Sequence, residues 1–488
     1  MSFTGLELPF FFALLFVLHW LLPRRAPLQN GLLLVGSYLF YWTWSPRLAW
    51  VLVLATVVDY LAAGYIERHR GDAARMRWGL AASLLYNLGQ LAYFKYAGFF
   101  VDSAAALLHA AGVDAGLPVL RLALPIGLSF FTFQKLAYVI DVYWDRQRAC
   151  ASPLTFATFV AFFPVIVAGP ITRAGDLLPQ LEAPRRPDNR RFADGAAIFL
   201  LGFAKKAYCA DLLGRLVDPV FKHPGDFGAA AHWLALVGYA AQVYCDFAGY
   251  SEMAIGSGRL LGVELPVNFN APFLSRSPIE LWRRWHISLN TWLFDYLYTP
   301  LTTSDGFWRG RLDLAFAVVF LASGLWHGAS WTFVLWGAIH GLALILHRRW
   351  DVYYRGLCRQ DRTWVARRRT TAYSLAAWGA TMLLFVLSLL PFRAPTMAIL
   401  VEFGGGLLGA HGGRLLHPDV PRFFSLHLGL CFTAVVAFHV VELGPGPSLR
   451  ERFFALPPLV RGALYGVVLT FLAIFVPTAG GAFLYGQF

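Results

Sequence analysis

Charge is what this chain has least of: 14% of its 488 residues are Asp, Glu, Lys or Arg, against 58% hydrophobic and 16% aromatic. A water-facing globule of this size needs far more charge on its surface, so a soluble domain is excluded. Cysteine is sparse as well. Cys150, Cys209, Cys245, Cys358 and Cys431 are scattered, without the paired spacings of a zinc site or a redox dithiol, so no structural metal and no disulfide framework are expected. The sequence carries no GxGxxG between a strand and a helix, no GxxxxGK[ST], no HExxH and no Gly-x-Ser-x-Gly nucleophile elbow. Losing the elbow removes the commonest acyl-transfer machinery and leaves histidine-assisted transfer open. Internal repeats and low-complexity segments are missing too.

What is present is a succession of apolar runs long enough to cross about 30 Å of hydrocarbon as helices. Spans are expected near residues 8–23, 29–45, 48–65, 79–100, 118–142, 193–215, 229–250, 312–326, 331–347, 372–391, 422–441 and 461–480. The expected fold is an all-α polytopic membrane protein with about 11–12 transmembrane helices plus re-entrant or interfacial helices, forming a single integral membrane domain over 1–488. Residues 1–7 lack a basic n-region, so the first run reads as a retained span. The net charge of +13 (41 Lys and Arg minus 28 Asp and Glu) collects in short loops, which argues for topology and against nucleic acid. The positive-inside rule puts the loops at 24–25, 68–77, 185–191 and 348–369 in the cytoplasm. Both termini then fall on the far side, the periplasm of a Gram-negative cell.

That orientation creates a conflict at 154–172, an apolar run between two basic segments. A re-entrant segment resolves it, broken by Pro164, Gly169 and Pro170 and walling a cytoplasm-facing cavity with residues 162–171. A short interfacial helix is the alternative. Residues 277–298 read as an amphipathic interfacial helix. Ser277, Pro278 and Glu280 have capping-box spacing, and Trp282, His286, Leu289, Leu293 and Leu297 form one stripe.

Ionisable groups are costly in a bilayer and usually face a cavity or a partner. His327 lies between two short spans, flanked by Trp326 and Gly328 with Ser323, Gly324, Ala329 and Ser330 nearby. A desolvated imidazole stays neutral and able to accept a proton, which suits a hydroxyl attacking a thioester. The alternative is a buried histidine bonded to a neighbouring helix. His286 shares its stripe with Asn290 one turn later, a residue able to orient or stabilise an oxyanion; a packed core histidine is the plainer reading. The tryptophans of the His327 segment are the candidate walls of a narrow passage. His340, among Gly337, Ala338 and Gly341, reads as structural, and His223, His411 and His417 as surface groups. Asp246 needs a partner, with nearby tyrosines or Arg259 available. Lys205 and Lys206 either snorkel or point into the cavity.

Six stretches together resemble the membrane-bound O-acyltransferase superfamily, in its bacterial alginate O-acetyltransferase membrane-subunit branch. They are LPIGLSFFTFQKLAYVIDVY (124–143), FFPVIVAGP (162–170), DFAGYSEMAIG (246–256), VNFNAPF (267–273), WRRWHISL (282–289) and LWHG (325–328). Their order matches that of the superfamily over about half the chain, which marks 118–350 as the catalytic core. The resemblance implies that His327 corresponds to the superfamily's active-site histidine and His286 to its upstream polar position, 41 residues earlier (327 minus 286). Catalytic residues are therefore expected at His327 and His286, with Asn290, Trp326 and Trp282 binding or orienting substrate. No bound cofactor and no metal are expected. The resemblance further implies acetyl transfer from cytoplasmic acetyl-CoA across a bacterial inner membrane to an exopolysaccharide such as alginate, with a periplasmic SGNH-type partner. D-alanyl or fatty-acyl transfer on the same scaffold is one alternative. A transporter or flippase for a polysaccharide intermediate is another, opposed by the lack of internal symmetry. A non-catalytic scaffold in a secretion complex is a third.

Overall fold

The computed structural model describes residues 7–44, 46–114, 116, 118, 120, 122–415, 424–440 and 449–475. Among them the chain is helical, without strands, and one isolated bridge joins Phe227 to Arg414. The all-α expectation holds. Helical segments Pro46–Arg68, Ala73–Ala110, Thr371–Arg393 and Pro458–Phe475 are long and apolar enough to cross a membrane. Shorter apolar helices occur at Glu7–Leu21, Leu312–His327, Met397–Leu407 and Leu426–Val440.

Two compact units make up the chain: the described residues up to Leu200 together with Tyr250–Val267, and Leu201–Gly249 together with those from Asn268 onward. The first unit holds α1 (Glu7–Leu21), α2 (Ala26–Trp44), α3 (Ala49–Arg68), α4 (Ala73–Leu91), α5 (Ala97–Ala110), α6 (Leu128–Tyr143), α7 (Pro153–Ala161), α8 (Phe163–Ile166), α9 (Ala174–Glu182) and most of α10 (Asn189–Phe203). Side chains cap several of these: Asp72 accepts from the amides of Ala74 and Arg75, and Ser152 from that of Thr155. The span expected at 118–142 begins only at Leu128, because Gly127 is left-handed (φ 72°) and a methyl there would strike the Ile166 carbonyl. The break expected in 154–172 is present, since α7 ends before Phe162 and α8 stops at Ile166. Phe162, Phe163, Val165, Ile166 and Ala168 are buried in the core of this unit.

Where α3, α4 and α6 meet, that core is polar. Asp59 accepts from Ser83 Oγ (2.5 Å) and Asn87 Nδ2 (2.9 Å) and pairs with Lys135 Nζ at 3.1 Å. Lys135 also donates to Asn87 Oδ1 (2.9 Å). All four side chains are fully buried. A buried pair is tolerable only when its remaining donors and acceptors are met, as they are here.

The second unit holds α11 (Asp211–Lys222), residues 229–249 of α12 (Ala229–Leu260), α13 (Pro278–Arg284), α14 (Ile287–Leu293), α15 (Thr299–Thr303), α16 (Leu312–His327), α17 (Trp331–Gln360), α18 (Thr363–Arg368), α19 (Thr371–Arg393), α20 (Met397–Leu407), α21 (Phe424–Val440), α22 (Leu449–Ala455) and α23 (Pro458–Phe475). Helix α20 follows α19 after three residues, and Thr396 Oγ1 starts it by accepting from Ile399 N. Helices α16 and α17 form a hairpin with backbone against backbone. A methyl on Gly324 would collide with the Phe333 carbonyl, and one on Gly337 with the Phe320 carbonyl. Small residues permit that approach, and it fixes the end of α16 against the start of α17.

Candidate active site

The two candidate histidines both belong to the second unit, and the fold brings them together. His286 does not lie on a continuous helix. The capping box starts α13 as expected: Ser277 Oγ accepts from Glu280 N (3.1 Å), and Glu280 Oε2 accepts from Arg276 N (2.9 Å). The helix then stops at Arg284, and His286 takes a left-handed conformation (φ 45°, ψ 54°) before α14 begins. The single amphipathic helix over 277–298 is therefore a helix–break–helix. The cause is an extended neighbour. Asn270 N donates to the Arg284 carbonyl (3.0 Å), and Ile287 N to the Asn268 carbonyl (2.9 Å), so these backbone groups are satisfied outside a helix.

The Asn268 side chain completes the break. Its Oδ1 accepts from Ser288 N (3.1 Å) and Ser288 Oγ (2.7 Å), and the backbone donor fixes which end of the amide is oxygen. His286 Nδ1 lies 3.4 Å from the same Oδ1, a long contact. Because that oxygen only accepts, the Nδ1–H tautomer of His286 is the one that would donate to it. Asn268 sits in a motif that the resemblance singled out, yet its role was not legible there.

His327 ends α16 and is 4% exposed. Its ring centroid lies 4.9 Å from Trp326, 4.9 Å from Trp336 and 5.2 Å from Phe392, each edge to face. Trp326 also lies 5.9 Å from the His286 ring, and Phe247 lies 4.5 Å from that ring, edge to face. Trp326 thus packs against both imidazoles. The C-terminal end of a helix favours a cation, so this position would suit a protonated His327.

Trp282 is buried against Phe320 (5.2 Å), Trp336 (5.7 Å) and His340 (5.0 Å). It thereby supports the ring that touches His327. Asn290 is half-buried, and its backbone N–H donates to the His286 carbonyl (3.0 Å). His340 is fully buried, 4.8 Å from Trp336, with Nε2 2.9 Å from Ser388 Oγ. The Ser388 hydroxyl donates to the Phe385 carbonyl (2.7 Å), so it accepts from His340 Nε2–H. Trp336 and Phe392 were missed from sequence. The four-residue step from Trp336 to His340 on α17 was the available signal for the first.

Lysines 205 and 206 do not snorkel; both are buried. A wide π-helical turn over Ala204–Ala210 admits both to the interior. Lys206 Nζ pairs with Asp211 (2.7 Å) and Asp246 (2.8 Å), while Lys205 Nζ lies 4.6 Å from the Phe438 ring. Asp246 therefore pairs with Lys206, whereas Arg259 pairs with Asp194 and Glu264. Three cysteines distant in sequence also meet, with Cys209 in hydrogen-bonding contact with Cys245 and Cys431. Among the described residues no group of three or more His, Cys, Asp or Glu is placed to hold a metal ion.

The membrane-bound O-acyltransferase family, MBOAT, matches over residues 145–390, which include both histidines. A probable alginate O-acetylase AlgI from Azotobacter vinelandii is 41% identical over 354 residues, 71% of this chain and 69% of that one. The probable alginate O-acetylase AlgI of Pseudomonas putida is 36% identical over 466 residues, 94% of this chain and 87% of that one. A peptidoglycan O-acetyltransferase of Helicobacter pylori is 32% identical over 414 residues, covering 79% and 75%. With half its length in the family match and relatives aligned over most of both chains, this multi-pass membrane protein belongs to the membrane-bound O-acyltransferase family and is an O-acyltransferase.

Proposed function

We propose that the chain takes an acetyl group from cytoplasmic acetyl-CoA and delivers it across a bacterial inner membrane for O-acetylation of an extracytoplasmic polysaccharide, alginate or a related polymer. A periplasmic SGNH-type partner completes the esterification. The observation that carries this reading is the packing of His286 and His327 against one tryptophan inside a water-excluding aromatic cluster. The names of the relatives support acetyl as the group moved and an extracytoplasmic polymer as its destination.

In this reading His327 is the base. A hydroxyl oxygen attacks the thioester carbonyl while the imidazole takes the hydroxyl proton. The C–S bond breaks as the new C–O bond forms, and the imidazolium returns the proton to the departing thiolate. His286, with Asn268 setting its tautomer, presents Nε2 as a second acceptor. Trp282, Trp326 and Asn290 orient the reacting groups.

Inside-out vesicles carrying the chain, its partner and the polymer, supplied with labelled acetyl-CoA, test the proposal. Wild type is expected to place label in lumenal ester and His327→Ala at matched expression is not. Equal label from both would remove His327 from the mechanism. No label from either, with partner and polymer verified as competent, would overturn acetyl-CoA as donor.

A further inference from the structure

Away from the histidines, the first unit carries a second built feature, at the loop joining α9 to α10. Arg185, Arg186, Asp188 and Arg191 line a cavity of about 420 Å³, with Gln180 and Gly262 also in its wall. Three guanidiniums and one carboxylate leave a net charge of +2 (three minus one). Asp188 is already engaged, since its Oδ1 accepts from the backbone amides of Arg190 (2.8 Å) and Arg191 (3.2 Å) to cap α10.

Arg185 is fixed from both ends. Its backbone amide donates to Gln29 Oε1 (2.9 Å), and Gln29 Nε2 donates back to its carbonyl (3.1 Å). Its Nη2 donates to Asn30 Oδ1 (2.9 Å), and Asn30 is held in turn by the Leu181 carbonyl (2.8 Å). Gln29, Asn30 and Arg185 are all buried. Even so, Nε and Nη1 of Arg185 are buried with no hydrogen-bond partner among the described residues. Burial brings this guanidinium down to about 10, which leaves it a cation at neutral pH. A buried cation is costly unless anionic charge lies near it, and the bonds to Gln29 and Asn30 hold this one at the cavity wall. Arginine in such a setting suits phosphate oxygens, and two further guanidiniums at the rim suit more than one phosphate.

We propose that this cavity is a phosphate-binding subsite. Resting on the donor reading above, it takes the phosphorylated nucleotide end of the acyl-CoA. The loop at 185–191 is among those the positive-inside rule assigns to the cytoplasm, the side from which such a donor arrives. An anionic lipid headgroup offers the same phosphate chemistry, so the test separates the two.

Wild type and an Arg186→Ala/Arg191→Ala variant are compared as full chains in zwitterionic nanodiscs. Both side chains are exposed, so the variant keeps the packed mount of Arg185. The probes are coenzyme A and dephospho-coenzyme A, with a second set of discs containing phosphatidylglycerol. Wild type is expected to prefer coenzyme A, and the variant to lose about tenfold or more in affinity together with that preference. Equal coenzyme A affinity in both proteins overturns the inference and leaves the donor reading standing. A wild type that binds no coenzyme A defeats the donor reading and the assignment of this cavity to it. In that case, phosphatidylglycerol retention that falls in the variant reassigns the cavity to a lipid headgroup. Unchanged retention removes the phosphate site altogether.

Discussion

Asp59 and His327 are both ionisable groups sealed from solvent, and their surroundings differ in kind. Around Asp59 the neighbours are an ammonium, an amide and a hydroxyl, each bonded to the carboxylate or to one another. Around His327 the rings of Trp326, Trp336 and Phe392 close in. The first arrangement fixes a charge and ties three helices through it. The second packs the imidazole among aromatic rings, which exclude water and whose ring electrons favour a nearby cation. A buried polar residue in this chain is thus read by what closes around it.

The comparison breaks if His327 turns out to be a structural residue. His327→Ala is expected to lower acetyl transfer by about a hundred- to ten-thousand-fold, the range for loss of a general base. Its elution on size exclusion and its thermal midpoint in detergent should match wild type. A variant that aggregates or melts early would place His327 in the same class as Asp59.

The opposite signature is expected in the first unit. Lys135→Ala leaves a carboxylate buried without its cation and should cost about 3–5 kcal/mol of stability. Activity should then fall only as folded protein is lost. Asp59→Leu combined with Lys135→Met removes both charges at similar volume and should recover most of that loss. If the double variant is stable but inactive, the network has a role beyond packing.

A smaller effect is expected at Asn268. Asn268→Ala frees His286 to take either tautomer and orphans the Ser288 amide. Transfer should drop about tenfold or more, by the logic that a misoriented imidazole is a poor base. Asn268→Asp keeps an acceptor at the same place, and recovery of part of the rate there distinguishes orientation from bulk. Equal losses in the two variants would favour a purely structural asparagine.

Much of this was legible in the sequence, and the parts that were not share one physical cause. Apolar runs announced helices, and two histidines beside tryptophans marked a candidate site, because both signals are local. The stripe of Trp282, His286, Leu289, Leu293 and Leu297 suggested one helix. Backbone bonds from Asn268 and Asn270 cut it in two, and helical periodicity carries no record of a neighbour some fifteen residues upstream. Lys206 meets Asp246 only because a π-helical turn shifts the phase of residues 204–210. A regular 3.6-residue period would have turned one of the two lysines away. Trp336 reaches His327 through the glycine-lined crossing of α16 and α17, a tertiary contact between helices.

His340 lies on the line between the two classes and gives the finest test. Like Asp59 it has a defined polar partner, Ser388, and like His327 it packs against Trp336. Ser388→Ala removes the acceptor of a buried N–H and should cost about 1–3 kcal/mol, read as a lower thermal midpoint. If His340 acts only by supporting Trp336 and Trp282, transfer per folded molecule should change little. The pH–rate profile should then overlay that of wild type. A profile displaced by Ser388→Ala at unchanged fold would mean that the hydrogen bond tunes an imidazole taking part in proton transfer. The candidate site would then extend one ring further along α17, from Trp336 to His340.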